Sequence, residues 1–270
     1  WLNASRAAGN LTEIYVAMGE FREGLSYAER SVELADRSQD EFARMLQRSK
    51  RGGALHQLGR FDEADAAFKE AEKMQRQRQP QYRSLYSLQG FLYCDLLLTL
   101  GRHQAVLRRA TQALQLAIDH SSRPLAVALD HLSLGRAHLM KSREEGSRDF
   151  SQAMEHLDRA VQGLRDAGLN DFLALGLLAR ADWWRDAAGF SGARRDLDEA
   201  MTIAERGGMR RHVADCHLGY ARLALAEGNH QNAREHLDSA KSMIDDMGYH
   251  RRDPEVVELE KLIDREPSQA

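Results

Sequence analysis

Few residues in this chain are placed to do chemistry. His212, Cys216 and His217 bring three metal-capable side chains together, and four-residue spacing puts His212 and Cys216 on one helical face. A structural zinc site needs four ligands, and no second cluster completes the set. His212 is expected in a turn, with Cys216 and His217 entering a helix, so no metal is assigned. His131 and His138 share a helical face and read as packing residues. No G-x-x-x-x-G-K-[ST], H-E-x-x-H or G-x-S-x-G occurs anywhere. The reading is therefore a non-enzyme with no catalytic residues and no cofactor. Two basic runs remain, Met209-Arg210-Arg211-His212 and Tyr249-His250-Arg251-Arg252, displaced by 40 residues. If the runs stack, Arg210, Arg211, His250, Arg251 and Arg252 form a basic edge, with His120 and Arg123 continuing it further off. Such an edge suits a phosphate or an acidic partner surface. The plainer alternative is a set of solvated cations near helix C-termini.

Composition narrows the classes further. The 270 residues are 43% hydrophobic and 29% charged, as in a folded, water-soluble chain. Four Pro and abundant Ala, Leu, Glu and Arg favour helix. Opposed charges nearly cancel at a net −3, which argues against nucleic acid or an anionic membrane as the main partner. The longest apolar stretch, around Leu96–Leu100, is too short to cross a bilayer. The chain starts at Trp1 with neither Met nor a signal-peptide pattern, which reads as an excised piece of a longer polypeptide. The edge at Trp1–Leu2 is then a candidate for self-association. Cys94 and Cys216 make no disulfide framework, and a reducing cytoplasm is the expected compartment.

The elements that must position these residues announce themselves by repetition. Ala153, Ala193 and Ala233 recur every 40 residues, as do Leu157, Leu197 and Leu237, and Ala160, Ala200 and Ala240. Asp158, Asp198 and Asp238 keep the same register, and Gly168, Gly208 and Gly248 close each unit. Small residues seven apart with a Leu between them make a helical face that another helix can approach closely. The closing Gly supplies the left-handed residue that stops a helix. A period near 40 indicates a solenoid of helical hairpins.

The second helices read Ala64-Phe68-Ala71, Val106-Ala110-Ala113 and Ala193-Leu197-Ala200. The first helices read Leu11-Thr12-Tyr15 and Leu134-Gly135-His138, and the turns contain Gly59, Gly101 and Gly228. This pattern resembles the tetratricopeptide repeat, with units longer than the family's usual 34 residues. Gly189 directly precedes Phe190, so the fifth turn is expected to be one residue shorter. Extra residues within 141–150 are expected to form a longer exposed turn. The resemblance implies an all-α, right-handed superhelical solenoid: about six antiparallel hairpins over 1–252, then a capping helix and tail over 253–270. In the final helix, Asp253 is placed as cap, Pro254 at the first position, and Val256, Val257, Leu259, Leu262 and Ile263 inward to about Arg265. Several runs, such as Arg195-Asp-Leu-Asp-Glu-Ala-Met-Thr-Ile-Ala204, are also similar to the C-terminal repeats of bacterial multidomain signalling nucleotide-hydrolases (NACHT/NB-ARC-like). That resemblance implies a ligand-sensing or partner-binding repeat domain, and the Arg bias, 32 against 6 Lys, is compatible with a bacterial source.

The family's geometry places Glu13, Gly53, Asp95, Arg136, Asp182 and Arg222 on the concave face, one per hairpin. From Asp95 onward their signs alternate, as in an ionic ladder or a polar floor for a peptide. One helical turn away, Phe91, Leu132, Leu178 and Leu218 form an apolar stripe. If exposed, the stripe would suit an amphipathic helix; otherwise it is core. A protein or peptide ligand is thus the expected partner. A scaffold or oligomerisation segment and a small-molecule-binding regulatory domain are the alternatives. Trp184 is expected in the core and Trp183 partly exposed.

Overall fold

The computed structural model describes residues 1–119 and 124–264. Helices follow one another in six antiparallel pairs. They are α1 (Leu2–Met18) with α2 (Phe21–Ser38), α3 (Glu41–Gln57) with α4 (Phe61–Arg78), and α5 (Ser87–Thr99) with α6 (His103–Asp119). Then come α7 (Pro124–Glu144) with α8 (Ser151–Ala167), α9 (Asn170–Asp186) with α10 (Phe190–Arg206), and α11 (Arg210–Ala226) with α12 (His230–Met247). A single 3-10 turn, His250–Arg252, leads into α13 (Asp253–Ile263). Among the described residues there is no strand. The expected basic-edge residues His120 and Arg123, and the expected helix end at Arg265, lie outside the described residues.

The repeated small residues create this packing. Ala153, Leu157 and Ala160, with their counterparts 40 and 80 residues on, are all buried. Leu157 fills the space left by Gly135 on α7, and Leu197 that left by Gly219 on α11 of the next hairpin. A Cβ on Gly135 would fall 2.6 Å from the Leu157 side chain, and one on Gly219 would fall 2.5 Å from Leu197. Burying a Leu this fully stabilises by roughly 1.5–3 kcal/mol relative to exposing it. The first helices α1, α3, α5, α7, α9 and α11 also touch in succession, so they form the inner wall of a superhelix. The turn of this superhelix is tight enough for α1 to meet α11, and for the 3-10 turn to meet α3.

Three expectations about local geometry need correction. The fifth turn is not shorter: residues 187–189 separate α9 from α10 as 58–60 separate α3 from α4. Ala188, at φ 58°, takes the left-handed position that Gly59, Gly101 and Gly228 fill elsewhere. Asp253 is not the cap of α13 but its first residue, and its carboxylate accepts from His250 Nδ1 at 3.0 Å. Finally, α13 buries Val256, Leu259 and Ile263 while Val257 and Leu262 stay exposed, because only one stripe of this helix faces α12. The extra residues at 141–150 divide between a longer α7 and the exposed turn after it. Cys94 and Cys216 are free and buried.

A left-handed backbone costs a residue with a Cβ about 1–2 kcal/mol, whereas Gly adopts it without that cost. Ala188→Gly should therefore raise stability by about 0.5–1 kcal/mol, after allowing for the greater freedom of Gly in the unfolded chain. Thermal melts should show an increase of a couple of degrees; an unchanged or lower midpoint would contradict the assignment.

Candidate functional site: the inner wall

Of the expected ladder only the first rung, Asp95–Arg136, forms as an ion pair; Asp182 and Arg222 take Arg185 and Glu255 instead. Asp95 on α5 is buried on the inner wall. Arg136 of α7 donates to Asp95 Oδ1 at 2.8 Å. Arg251 of the 3-10 turn reaches the same carboxylate with both terminal nitrogens, at 2.7 and 2.8 Å, and Gln57 Oε1 at 3.3 Å. Burial alone would raise the Asp95 carboxyl, but Arg251 and Arg136 hold it well below the usual carboxylate range. His56, fully enclosed, is driven well below its ordinary value by burial and then by Arg251. Its Nε2 pairs with Thr99 Oγ1 at 2.9 Å.

Further along the wall, Asp182 accepts from Arg185 Nη1 at 2.7 Å. Burial opposes its charge, yet Arg185, Arg143 and Arg222 keep its carboxyl below the usual range. Arg222 pairs with Glu255, which in turn holds Arg252, and Arg252 Nε reaches Asp215 at 2.8 Å. Burial would raise Glu255 as well, but Arg252 and Arg222 pull it to about 2. Arg251 and Arg252 are adjacent in the chain. One therefore engages the Asp95 end of the ladder and the other the Arg222 end.

The apolar stripe is mostly core. Phe91, Leu132 and Leu218 are buried and Leu178 is half-buried. Phe91 meets Phe172 edge-on at 5.9 Å. The face one turn from the ladder is where successive hairpins press together, so these residues are withdrawn from a ligand. The basic edge is likewise spent inside the molecule. Arg211 is buried and donates to Asp171 at 2.9 Å, Arg251 is buried against Asp95, and Arg252 is held twice. Among the described residues of this edge, only Arg210, bridging Asp246 and Glu20, and His250 remain substantially exposed. Carboxylates on the first helices supply counter-charges that inspection of the two basic runs alone does not reveal.

The metal-like trio does not converge. His212 lies within the first turn of α11, not in the preceding turn, and its Nε2 meets Asp171 Oδ1 at 2.5 Å. Cys216 is buried, and its thiol is pushed up by that burial. His217 Nδ1 pairs with His236 Nδ1 at 3.0 Å. Among the described residues no three His, Cys, Asp or Glu are grouped to hold a metal ion. His131 packs as read, through an Nδ1–Nδ1 contact of 2.8 Å to His156, on which His138 stacks at 5.5 Å. These paired imidazoles, one in the fourth hairpin and one in the sixth, escape a reading that follows one helix at a time. The tryptophans exchange roles: Trp183 is buried and donates to the Phe150 carbonyl at 3.2 Å, while Trp184 is half-buried over Gly189 and Gly192.

Comparison with known proteins agrees with this architecture. Residues 49–78, spanning the second half of α3 and all of α4, match the family model described as Tetratricopeptide repeat. The crystal structure of PilW, described as a widely conserved type IV pilus biogenesis factor, matches with a TM-score of 0.51. That match covers 88% of this chain and 92% of PilW at 19% identity. No curated protein matches the sequence significantly. The chain is thus an all-α superhelical array with a tetratricopeptide-type repeat. No helix among the described residues is long and apolar enough to cross a membrane.

The histidine pairs make a pH window. Burial and the neighbouring His156 lower His131 to about 4, and burial and His236 lower His217. The unfolded chain, with ordinary values near about 6.5, then binds protons that the folded chain refuses. Stability should fall as pH drops from about 6.5 towards about 4. Asp95 contributes little in that window, because its stabilisation is lost as pH falls from the ordinary carboxylate value, near 3.8, towards its depressed folded value. Gln at both His131 and His217 keeps hydrogen-bonding groups without titrating ones, and should lessen the fall in melting temperature between pH 6.5 and 4.5, with His56 keeping its own share. An undiminished fall would place the acid sensitivity elsewhere.

Proposed function

We propose that the chain is a non-catalytic module that binds a protein or peptide along its inner wall. The observation that carries this reading is the row of charges that successive first helices present. Arg136, Asp182 and Arg222 keep part of each side chain in solvent, at 25%, 33% and 25%, along one continuous face. A linear ligand meets this face as a periodic array of alternating charge, which sets register and association rate more than affinity. Leu178, half-buried beside Asp182, is the one member of the apolar stripe left to contribute contact area. Tetratricopeptide-type repeats generally serve protein interaction, which supports the same class. In this reading residues 1–252 are the recognition array and 253–270 its cap and tail. The array acts in the cytoplasm as the sensing part of a larger bacterial signalling protein.

The test starts from a partner identified by co-purification with the full-length protein. Arg136→Asp combined with Asp182→Arg should weaken its binding at least tenfold while leaving the helical circular dichroism spectrum intact. Unchanged binding would remove the inner wall from consideration, and a collapsed fold would make the ladder purely structural.

A second reading, self-association, is favoured by one feature of the first hairpin. Leu11, Ile14 and Met18 project from α1 with 36%, 52% and 47% exposure, at spacing that aligns them on one helical face. If this stripe joins two copies, Ile14→Glu should convert a concentration-dependent dimer to monomer in size-exclusion with light scattering. A chain that is monomeric at all concentrations would dispose of this reading.

A further inference from the structure

One stretch of the chain, the end of α12 with its connection to α13, packs on the turns of the first two hairpins and reaches the inner wall at Asp95. It runs across the first three hairpins in order. Met247 lies against the turn of the first hairpin, where a Cβ on Gly19 would fall 2.3 Å from its sulfur. The Tyr249 ring packs on Phe21 with centroids 5.0 Å apart. His250 lies over the turn of the second hairpin, where a Cβ on Gly59 would meet its backbone carbon at 3.1 Å. Arg251 then reaches Gln57 and Asp95, at the second and third hairpins.

Tyr249 and Met247 share a buried apolar cluster with Phe21, and two further properties mark the contact. The main-chain hydrogen bonds of the segment are local: Tyr249 donates to the Ile244 carbonyl at 2.9 Å and Arg252 to the Tyr249 carbonyl at 2.9 Å. What ties it to the first three hairpins is side-chain packing, the Arg251 fork and the close approaches to Gly19 and Gly59. The receiving site is also oriented independently of the segment, because Arg136 fixes one Asp95 oxygen from α7. A bidentate guanidinium–carboxylate pair is geometrically selective for Arg over Lys.

We infer that Tyr249–Arg252 is a built-in competitor, and that Asp95 with Gln57 and Phe21 forms a site for an arginine-bearing peptide with an aromatic residue two positions earlier. This rests on the inner-wall reading above and names the chemistry of the ligand it takes. The closed segment acts at the high effective concentration of a tethered ligand, so an external peptide gains access only in the fraction of molecules whose segment is released. Releasing the segment raises apparent affinity without altering the site.

The probe is a fluorescent synthetic peptide carrying the sequence of residues 246–254, titrated into the whole chain by anisotropy. Arg251→Ala leaves Asp95 paired with Arg136. It should bind the peptide at least tenfold more tightly than the unsubstituted chain. Adding Asp95→Asn, or replacing Arg251 in the peptide by Lys, should remove that gain. A folded Arg251→Ala chain that binds no better than the original overturns the inference, as does a gain that survives Asp95→Asn. Should Arg251→Ala fail to fold, hydrogen exchange of the unsubstituted chain decides. Amides of 249–252 exchanging through a local opening support release, and exchange only with global unfolding overturns it. Either negative result leaves the inner wall itself standing, because reversal at Arg136 and Asp182 tests that separately.

Discussion

A single carboxylate shared by two guanidiniums governs the arrangement of the inner wall. Asp95 is too enclosed to remain charged alone, and Arg136 and Arg251 approach it from different elements. Arg136 belongs to the next hairpin and fixes the step between neighbours. Arg251 comes from the far end of the array and fixes where that end lies. Buried ion pairs add little stability over apolar packing, but an unpaired buried charge costs several kcal/mol. The closed superhelix satisfies both cations and the anion together. An opened one must hydrate all three or leave one without a partner.

Around this centre, helix packing and electrostatics divide the work. The Ala and Leu registers set how near helices come, with Gly135 and Gly219 admitting Leu157 and Leu197. The charges sit on the first helices, on the face that these turn inward. Sliding a hairpin by one turn would both separate the ladder and press an Ala where a Leu belongs. Each layer therefore enforces the register of the other.

Much of this is legible in the sequence because it is periodic. The Ala153–Leu157–Ala160 registers and the helix-stopping Gly follow from local rules. The alternating charges from Asp95 to Arg222 needed only the spacing of first helices. Non-periodic features resist such reading. Arg251 and Asp95 are 156 positions apart, and only superhelical closure brings them together. For the same reason two basic runs suggested an open edge: their carboxylate partners Asp171, Asp215 and Asp95 lie on other units. The Trp183 and Trp184 roles depend on a rotation of about one residue, finer than a helical pattern specifies. Ala188 carries no side-chain signature of its left-handed backbone; the constancy of turn length was the available clue, and Gly189 obscured it.

Closure also alters how such an array can come apart. A solenoid in which each unit touches only its neighbours behaves as a one-dimensional chain, and can unravel from either end. Here the first and last hairpins are in contact, and Arg251 bonds to the third. Neither terminus is an end in the mechanical sense. Fraying at the first hairpin removes support for Tyr249, and loss of the last removes the counter-charge of Asp95. Unfolding then acquires the all-or-none character of a globular domain. The non-local closing contacts should be made late in folding, after the local hairpins have formed.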